Sequence, residues 1–384
     1  MIQQKTFFNK MRELGINFLT GVPDSLLNEF CLYAQTKYSS HEHIIAANEG
    51  NAVAIASGYN LASGEIPLVY MQNSGIGNSM NPLLSLTNKE VYSIPMVLLI
   101  GWRGNPDEGD WAQHKQQGIL TPILMENMNI PHRTISSAND GVDELDWAYK
   151  TAQRLNSPVA IFASKGQFEQ GKKNRIEESD VLELSREQAI TAVVQSIPSD
   201  AIVVATTGRA SRELYEVREA LGDSHENDFL NVGAMGHTSQ IALGLAIASP
   251  KRKVICLDGD AALLMHMGGM AISGNSAVSN LIHIVLNNGV HESVGGQPSV
   301  GFKVDFTSIA NASGFNTQQS SIVSKDEIER VLKSILNNNS LSAPSFIDIH
   351  IKKGMRADMP PLKVDHKELK NKLTESIRPK KNHI

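Results

Sequence analysis

Asp260 lies in the run Leu257-Asp-Gly-Asp-Ala-Ala-Leu-Leu264, and Asn287-Asn288-Gly289 follows it, with residues 261 to 287 between Asp260 and Asn288. One carboxylate and one amide oxygen at that spacing suit a divalent cation bound to a diphosphate. The apolar run Lys253–Leu257 ends abruptly in Asp258-Gly259-Asp260, and Leu281–Leu286 ends as abruptly in Asn287-Asn288. Both polar clusters are therefore expected at the carboxyl ends of strands, where open α/β sheets place ligands. Magnesium takes oxygen ligands in octahedral geometry, usually one or two from side chains and the rest from phosphate and water. The same residues also read as a helix cap at Asp260 and an ordinary turn at Asn287-Asn288-Gly289.

Two further clusters have chemical potential. Upstream, His43-Ile-Ile-Ala-Ala-Asn-Glu49-Gly-Asn-Ala is a short apolar strand followed by Glu49 at the start of an alanine-rich helix. A first-turn glutamate is either a response to the helix dipole or a buried acid with a task. Downstream, Asn231-Val-Gly233-Ala-Met235-Gly236-His237 places glycines where backbone can approach a ligand closely. Met235, taken by itself, reads as core filler.

Together these clusters resemble the cofactor fingerprint of thiamine diphosphate enzymes, a Gly-Asp-Gly that leads through a helix and a strand to Asn-Asn. Ala261 stands in place of the second glycine. The resemblance implies that Asp260 and Asn288 hold Mg2+ through their side chains and Val290 through its carbonyl. It implies that Glu49 bonds to N1′ of the aminopyrimidine, that the Gly233 carbonyl accepts from the 4′-amino group, and that Met235 bends the cofactor into its V shape. Gly208, Gly236, His237, Gly259, Ala261 and Ala262 would line the diphosphate, where backbone amides at helix starts suit the anion.

A chain of 384 residues predicts two or three domains. The two cysteines, Cys31 and Cys256, lie in apolar surroundings and predict buried thiols. A net charge of −5 gives no electrostatic footprint for nucleic acid. The first residues read as an amphipathic helix and not as a signal peptide, and no run reaches membrane-spanning length, so a cytoplasmic location is expected.

Apolar runs recur at 17–20, 44–47, 68–71, 96–100 and 159–163, then at 202–205, 254–257, 281–286 and 346–351, with helical stretches between them. Such alternation predicts parallel sheets flanked by helices. The expected architecture is α/β with two thiamine diphosphate-binding-type domains and no central third domain. A pyrimidine-binding domain spans 1–166, a charged linker 167–185, a diphosphate-binding domain 186–355, and a tail 356–384 that packs at its start and frays at its end. The resemblance adds a homodimer as the smallest active unit, with active sites at the subunit interface.

Gly21-Val-Pro-Asp24-Ser25, Gly101-Trp-Arg103-Gly104, Gln113-His114, Asn288-Gly-Val-His291-Glu-Ser-Val-Gly-Gly-Gln297-Pro298 and Arg356-Ala-Asp358 are similar to segments of the phosphonopyruvate decarboxylases. That likeness implies conversion of 3-phosphonopyruvate to phosphonoacetaldehyde and CO2 through an adduct at C2 of the cofactor, in 2-aminoethylphosphonate biosynthesis. A histidine is the natural proton donor near neutral pH. His114 is favoured for that task and His291 for substrate contact, with His237 a third candidate, and each is otherwise a polar loop residue. Arg103, Arg356, Ser25, Asn73, Ser74 and Gln297 are candidates for the two anionic groups of the substrate. Arg103 alternatively pairs with Asp107 or Glu108. Asp24, acidic among anions, is better suited to orienting a histidine.

Rival readings are a sulfopyruvate decarboxylase, a carboligase of the acetolactate synthase type, and a non-catalytic protein that binds the cofactor. Fusion of both domains in one chain favours phosphonate over sulfonate, because the sulfonate enzymes are often two separate chains.

Overall fold

Val97 and Leu99 pack on one side of their strand, Leu98 and Ile100 on the other, and all four are buried. Burial of both faces is what parallel strands sandwiched between helices require. The computed structural model describes residues 1–170, 182–317 and 320–378. It divides into two compact units, Met1–Ile176 with Ser293–Gln297, and Glu177–Glu292 with Pro298–Ile384.

The first unit holds β1 (Leu19–Gly21), β2 (His43–Ile45), β3 (Leu68–Gln72), β4 (Val97–Gly101), β5 (His132–Thr134) and β6 (Val159–Ala163) in one parallel sheet of order β2-β1-β3-β4-β6-β5. The second unit contains β7 (Ile202–Ala205), β8 (Asp228–Leu230), β9 (Val254–Gly259) and β10 (Leu281–Asn287). The same unit holds β11 (Val290–His291), β13 (Asn316–Thr317) and β14 (Ser345–His350); of the short strand β12 (Gln297–Pro298), Gln297 belongs to the first unit and Pro298 to the second. Its parallel sheet runs β13-β14-β10-β9-β7-β8. The chain leaves β7 towards β8 on one side and returns to β9 on the other, so the strand order switches direction between β7 and β9. That crevice is where doubly wound sheets bind ligands. The α/β architecture of two helix-flanked parallel sheets is thus as the sequence predicts.

Every strand predicted from apolar runs is present, within about two residues at each end. The prediction omits the two-residue pair β11 and β12 and three strands of the main sheets, β5, β8 and β13, which lie at sheet edges and read His-Arg-Thr, Asp-Phe-Leu and Asn-Thr. Short polar edge strands have no long buried run to betray them. Both cysteines are free and buried. Among the described residues, no helix is long and apolar enough to cross a membrane.

The expected linker lies largely on residues 171–181, outside the described residues, as do the last residues of the tail. The start of the tail is ordered in the second unit: the helix His366–Ile377 buries Leu373 beside Ile202, Val204 and Val254.

Candidate functional site

In the first unit, four of the five candidate segments follow the carboxyl ends of strands. Asp24 and Ser25 follow β1, Glu49 follows β2, Asn73 and Ser74 follow β3, and Arg103 follows β4. Asn48 caps the helix Glu49–Ser63 by accepting from the Asn51 backbone amide at 2.9 Å, which fixes Glu49 in the first turn. Glu49 is buried, and its Oε2 accepts from Asn78 Nδ2 at 2.7 Å. A Cβ at position 75 would overlap the Glu49 carboxyl, so Gly75 is what lets the acid sit there. Neither Asn78 nor Gly75 is marked by sequence periodicity, because both act across helices.

Arg103 is not paired with Asp107 or Glu108. Its Nε and Nη2 donate to the two oxygens of Asp110 at 2.7 and 2.6 Å, and its Nη1 donates to Ser25 Oγ at 2.9 Å. A bidentate pair of this kind holds the guanidinium plane in one orientation. The Asp110 carboxyl lies well below the usual carboxylate range; burial opposes the shift, and the bonds from Arg103, Trp111 and Gly104 overcome it. Asn73 commits its amide hydrogens to the Arg103 carbonyl (2.8 Å) and Thr121 Oγ1 (2.9 Å), while its Oδ1 accepts from the Arg103 backbone N–H (3.2 Å). It thus builds the Arg103 loop, whereas Ser74 is exposed beside it.

His114 opens the helix Ala112–Asn127 at its first turn, half-buried, and its Nδ1 has no hydrogen-bond partner among the described residues. Burial first, and the Arg103 charge second, hold its pKa below the ordinary value.

Asp24 accepts from the Leu26 backbone amide at 3.1 Å and from Ser25 Oγ at 3.5 Å, rather than from a histidine. Burial pushes its carboxyl up to about 6, against which the Arg103 charge and backbone amides act. With the folded value above the unfolded 3.8, the folded state binds the extra proton between the two. Stability therefore falls as pH rises from about 4 to 6, and the full cost, about 3 kcal/mol, is present at pH 7. Asp24→Asn is expected to raise the thermal midpoint of the 384-residue chain by roughly 4 °C at pH 7 and to change it little at pH 4. Unfolding scans across pH check this, and an equal gain at both values would exclude the buried charge as the cause.

In the second unit, Gly208 follows β7, the Gly233–His237 loop follows β8, Asp260 follows β9 and Asn288 follows β10. Gly259 pairs with Leu286 across β9 and β10, which brings Asp260 level with the Asn287-Asn288 turn. Gly259, not Asp260, is the cap residue of the short helix Asp260–Met265, and Asp260 is its first helical residue. Ala261 is helical too, a conformation in which alanine replaces glycine without cost. Gly208 has φ +93° and ψ −125°, a conformation that only glycine adopts readily.

Asp260 is buried, accepts a short hydrogen bond from Ser299 Oγ, and lies against Gly301, where a Cβ would overlap its carboxylate. Asn288 Oδ1 accepts from the Val290 N–H at 3.2 Å and its Nδ2 donates to Glu292 Oε2 at 3.0 Å. Thr206 Oγ1, beside Gly208, is buried without a partner among the described residues. An all-oxygen donor set at adjoining strand ends, with an orphaned hydroxyl nearby, fits a hard cation and a phosphate.

The Gly233 loop is held by Asn231, whose Oδ1 accepts from the Gly233 N–H at 3.3 Å and whose Nδ2 donates to Thr238 Oγ1 at 3.2 Å. Ala234 within it adopts φ +50°. Met235 is half-buried and outside the hydrophobic cores, which disfavours the core-filler reading. His237 is exposed and contacts the His266 ring edge-on at 4.5 Å. His291 is buried, and burial holds its pKa down to about 4. Arg356 is directed to Glu187, Glu216 and Asp358 at 3.0–3.3 Å. Gln297 is fully buried, its Nε2 donating to Asn28 Oδ1 at 3.2 Å while its Oε1 has no partner among the described residues.

Residues 3–124 match the thiamine pyrophosphate enzyme N-terminal TPP binding domain, and residues 207–349 match the thiamine pyrophosphate enzyme C-terminal TPP binding domain. The chain is 31% identical to a phosphonopyruvate decarboxylase of Streptomyces viridochromogenes, over 89% of this chain and 86% of that one. It is 30% identical to a phosphonopyruvate decarboxylase of Streptomyces hygroscopicus, over 98% and 94% of the two chains. A sulfopyruvate decarboxylase of Methanosarcina acetivorans is 29% identical over 97% of this chain and 96% of its own. That last relative is a single chain of matching extent, so fusion of the two domains does not separate phosphonate from sulfonate enzymes. The chain belongs to the thiamine diphosphate-dependent decarboxylase family, among the relatives of phosphonopyruvate decarboxylase.

Proposed function

We propose that the protein decarboxylates 3-phosphonopyruvate to phosphonoacetaldehyde and CO2, serving 2-aminoethylphosphonate biosynthesis in the cytoplasm. Near-full-length similarity to two phosphonopyruvate decarboxylases carries this reading, and the latched Arg103 guanidinium supports it. When bound, thiamine diphosphate supplies the nucleophilic carbon and the electron sink for loss of CO2. The segment 1–166 takes the pyrimidine-binding role and 186–355 the diphosphate-binding role, with 167–185 as linker and 356–384 as tail.

Asp260, Asn288 and the Val290 carbonyl would hold Mg2+. Gly208, Gly236, His237, Gly259, Ala261 and Ala262 would line the diphosphate, and Gly233 and Met235 would position the rings. Glu49 would hold and share the proton at the aminopyrimidine nitrogen. Arg103 and Ser25 would orient the phosphonate, with Asp24, Ser74, His291, Gln297 and Arg356 as further substrate-side candidates, while Asn73 would hold the Arg103 loop in place. Partial burial and the Arg103 charge favour the neutral form of His114. A dianionic phosphonate beside Arg103 would offset that charge and let His114 carry the proton the product needs.

A homodimer is the smallest unit in this reading. Exposed Ile55, Leu84, Ile119 and Ile123 on the helices Glu49–Ser63, Ile76–Ser85 and Ala112–Asn127 support it.

The sulfonate relative makes sulfopyruvate the second reading. CO2 release from phosphonopyruvate, sulfopyruvate and pyruvate, measured side by side, tests the choice. A kcat/KM at least tenfold higher for phosphonopyruvate is expected. Preference for sulfopyruvate would reassign the substrate, and preference for pyruvate would remove the anionic pocket altogether.

A further inference from the structure

Behind the Asn287-Asn288 turn lies a buried ionic network that the cofactor reading leaves without a task. Glu292 Oε2 accepts from Asn288 Nδ2 at 3.0 Å and from Arg186 Nη1 at 2.6 Å. Arg186 in turn donates Nε and Nη2 to the two oxygens of Glu213, both at 2.9 Å. Arg209 approaches Glu292 Oε1 at 3.5 Å and donates to the Glu292 carbonyl at 3.1 Å, and the Gly354 N–H completes the set at Oε1. The Arg186, Glu213 and Glu292 side chains are 8%, 1% and 10% exposed. Three charged groups in so little water, with the Arg209 side chain 28% exposed beside them, are a poor device for stability alone, since apolar packing of the same volume often serves as well or better.

The direction of the Asn288 bond gives the network a purpose. A carboxylate between two guanidiniums can only accept, whereas an amide presents a donor at one end and an acceptor at the other, nearly equal in shape. Glu292 therefore selects the rotamer that turns the Asn288 NH2 inward and leaves Oδ1 on the side of the Val290 N–H. We propose that Glu292 is a positioning residue that sets the orientation of the Asn288 amide, and thereby the affinity of the site for its divalent cation. This rests on the reading of Asn288 as a metal ligand.

The test is a Mg2+ titration of thiamine diphosphate uptake by the full chain, followed by calorimetry, with thermal unfolding of the cofactor-free protein alongside. Glu292→Ala is expected to raise the half-saturating Mg2+ concentration about 10–100-fold, the usual cost of losing a partner that orients a ligand. Glu292→Gln, which keeps the volume if the alanine variant does not fold, is expected to raise it about tenfold.

Glu213→Gln, in the same network but without contact to Asn288, is expected to lower the unfolding midpoint and to move the Mg2+ value less than twofold. In the Glu292→Gln background, Asn288→Asp is expected to recover most of the affinity, because both ends of a carboxylate are oxygen. An unchanged Mg2+ value for Glu292→Gln, an equal loss for Glu213→Gln, or no recovery with Asn288→Asp would each overturn the proposal. Absence of Mg2+-dependent uptake by the unsubstituted protein would instead overturn the metal reading on which it stands, so the two failures are distinguishable.

Discussion

Glu49→Gln is expected to lower decarboxylation by about 10²–10⁴-fold, the range that a positioned acid or base contributes, while thiamine diphosphate still binds. The substitution is close to isosteric, which matters because the pocket is tight. Glu49 is 5% exposed, Gly75 leaves no room for so much as a methyl group beside it, and Asn78 Nδ2 can still donate to the remaining oxygen of a glutamine. What the amide cannot do is share a proton with a ring nitrogen in both directions. Calorimetric uptake of the cofactor and CO2 release from the same preparation measure the two halves of the prediction. Unimpaired turnover would remove Glu49 from the chemistry and return it to the role of a helix-start acid. Lost uptake together with lost turnover would make it a binding residue only.

The second large effect is expected at Arg103. Arg103→Met keeps an unbranched side chain but removes the cation, and kcat/KM for phosphonopyruvate should fall about 10²–10³-fold, as for loss of one partner from a desolvated charge pair. Pyruvate, which has no second anionic group, should lose far less. The contrast between substrates separates recognition from damage to the fold, since leaving Asp110 without its bidentate partner also weakens the loop. Equal losses on both substrates would assign Arg103 to the loop alone. The latch by Asp110 and Ser25 explains why lysine would be a poor replacement: a point charge cannot make the two parallel bonds that fix the guanidinium plane.

The single-chain sulfopyruvate decarboxylase sharpens the question of substrate. A phosphonate dianion carries one more negative charge than a sulfonate, while both offer similar oxygens to an arginine. If Arg103 holds the second anionic group as proposed, discrimination would come from charge balance around it. There Asp110 already neutralises the guanidinium in part, and buried Asp24 is poised to exist in either protonation state near pH 6.

Long buried strands and the turns that end them were legible in the sequence because their signal is local: a run of apolar residues stops where polar ones begin. That signal located β4, β6, β7, β9 and β10, and with them Asp260, Asn288 and Gly208 at the ends of adjacent parallel strands, and Glu49 at the first turn of its helix. Short polar edge strands such as β5 and β13 escaped, since nothing local distinguishes two or three half-exposed residues from a loop.

Pairings between side chains escaped for a different reason. The partner of Arg103 could be named only as an acid in the following loop, and the tertiary structure chose Asp110 over Asp107 and Glu108 because its carboxylate alone reaches both nitrogens of the fork. Asn73 reads as a pocket residue by position, but the fold directs its amide into the Arg103 loop. The bonds from Asn78 to Glu49, Ser299 to Asp260 and Glu292 to Asn288 join residues whose relation depends on distance in space and on which atom faces which. The sequence by itself determined which groups arrive at the carboxyl edges of the two sheets; only the tertiary structure decided how each is held, because hydrogen-bond direction and burial are set by neighbours that chain order does not place side by side.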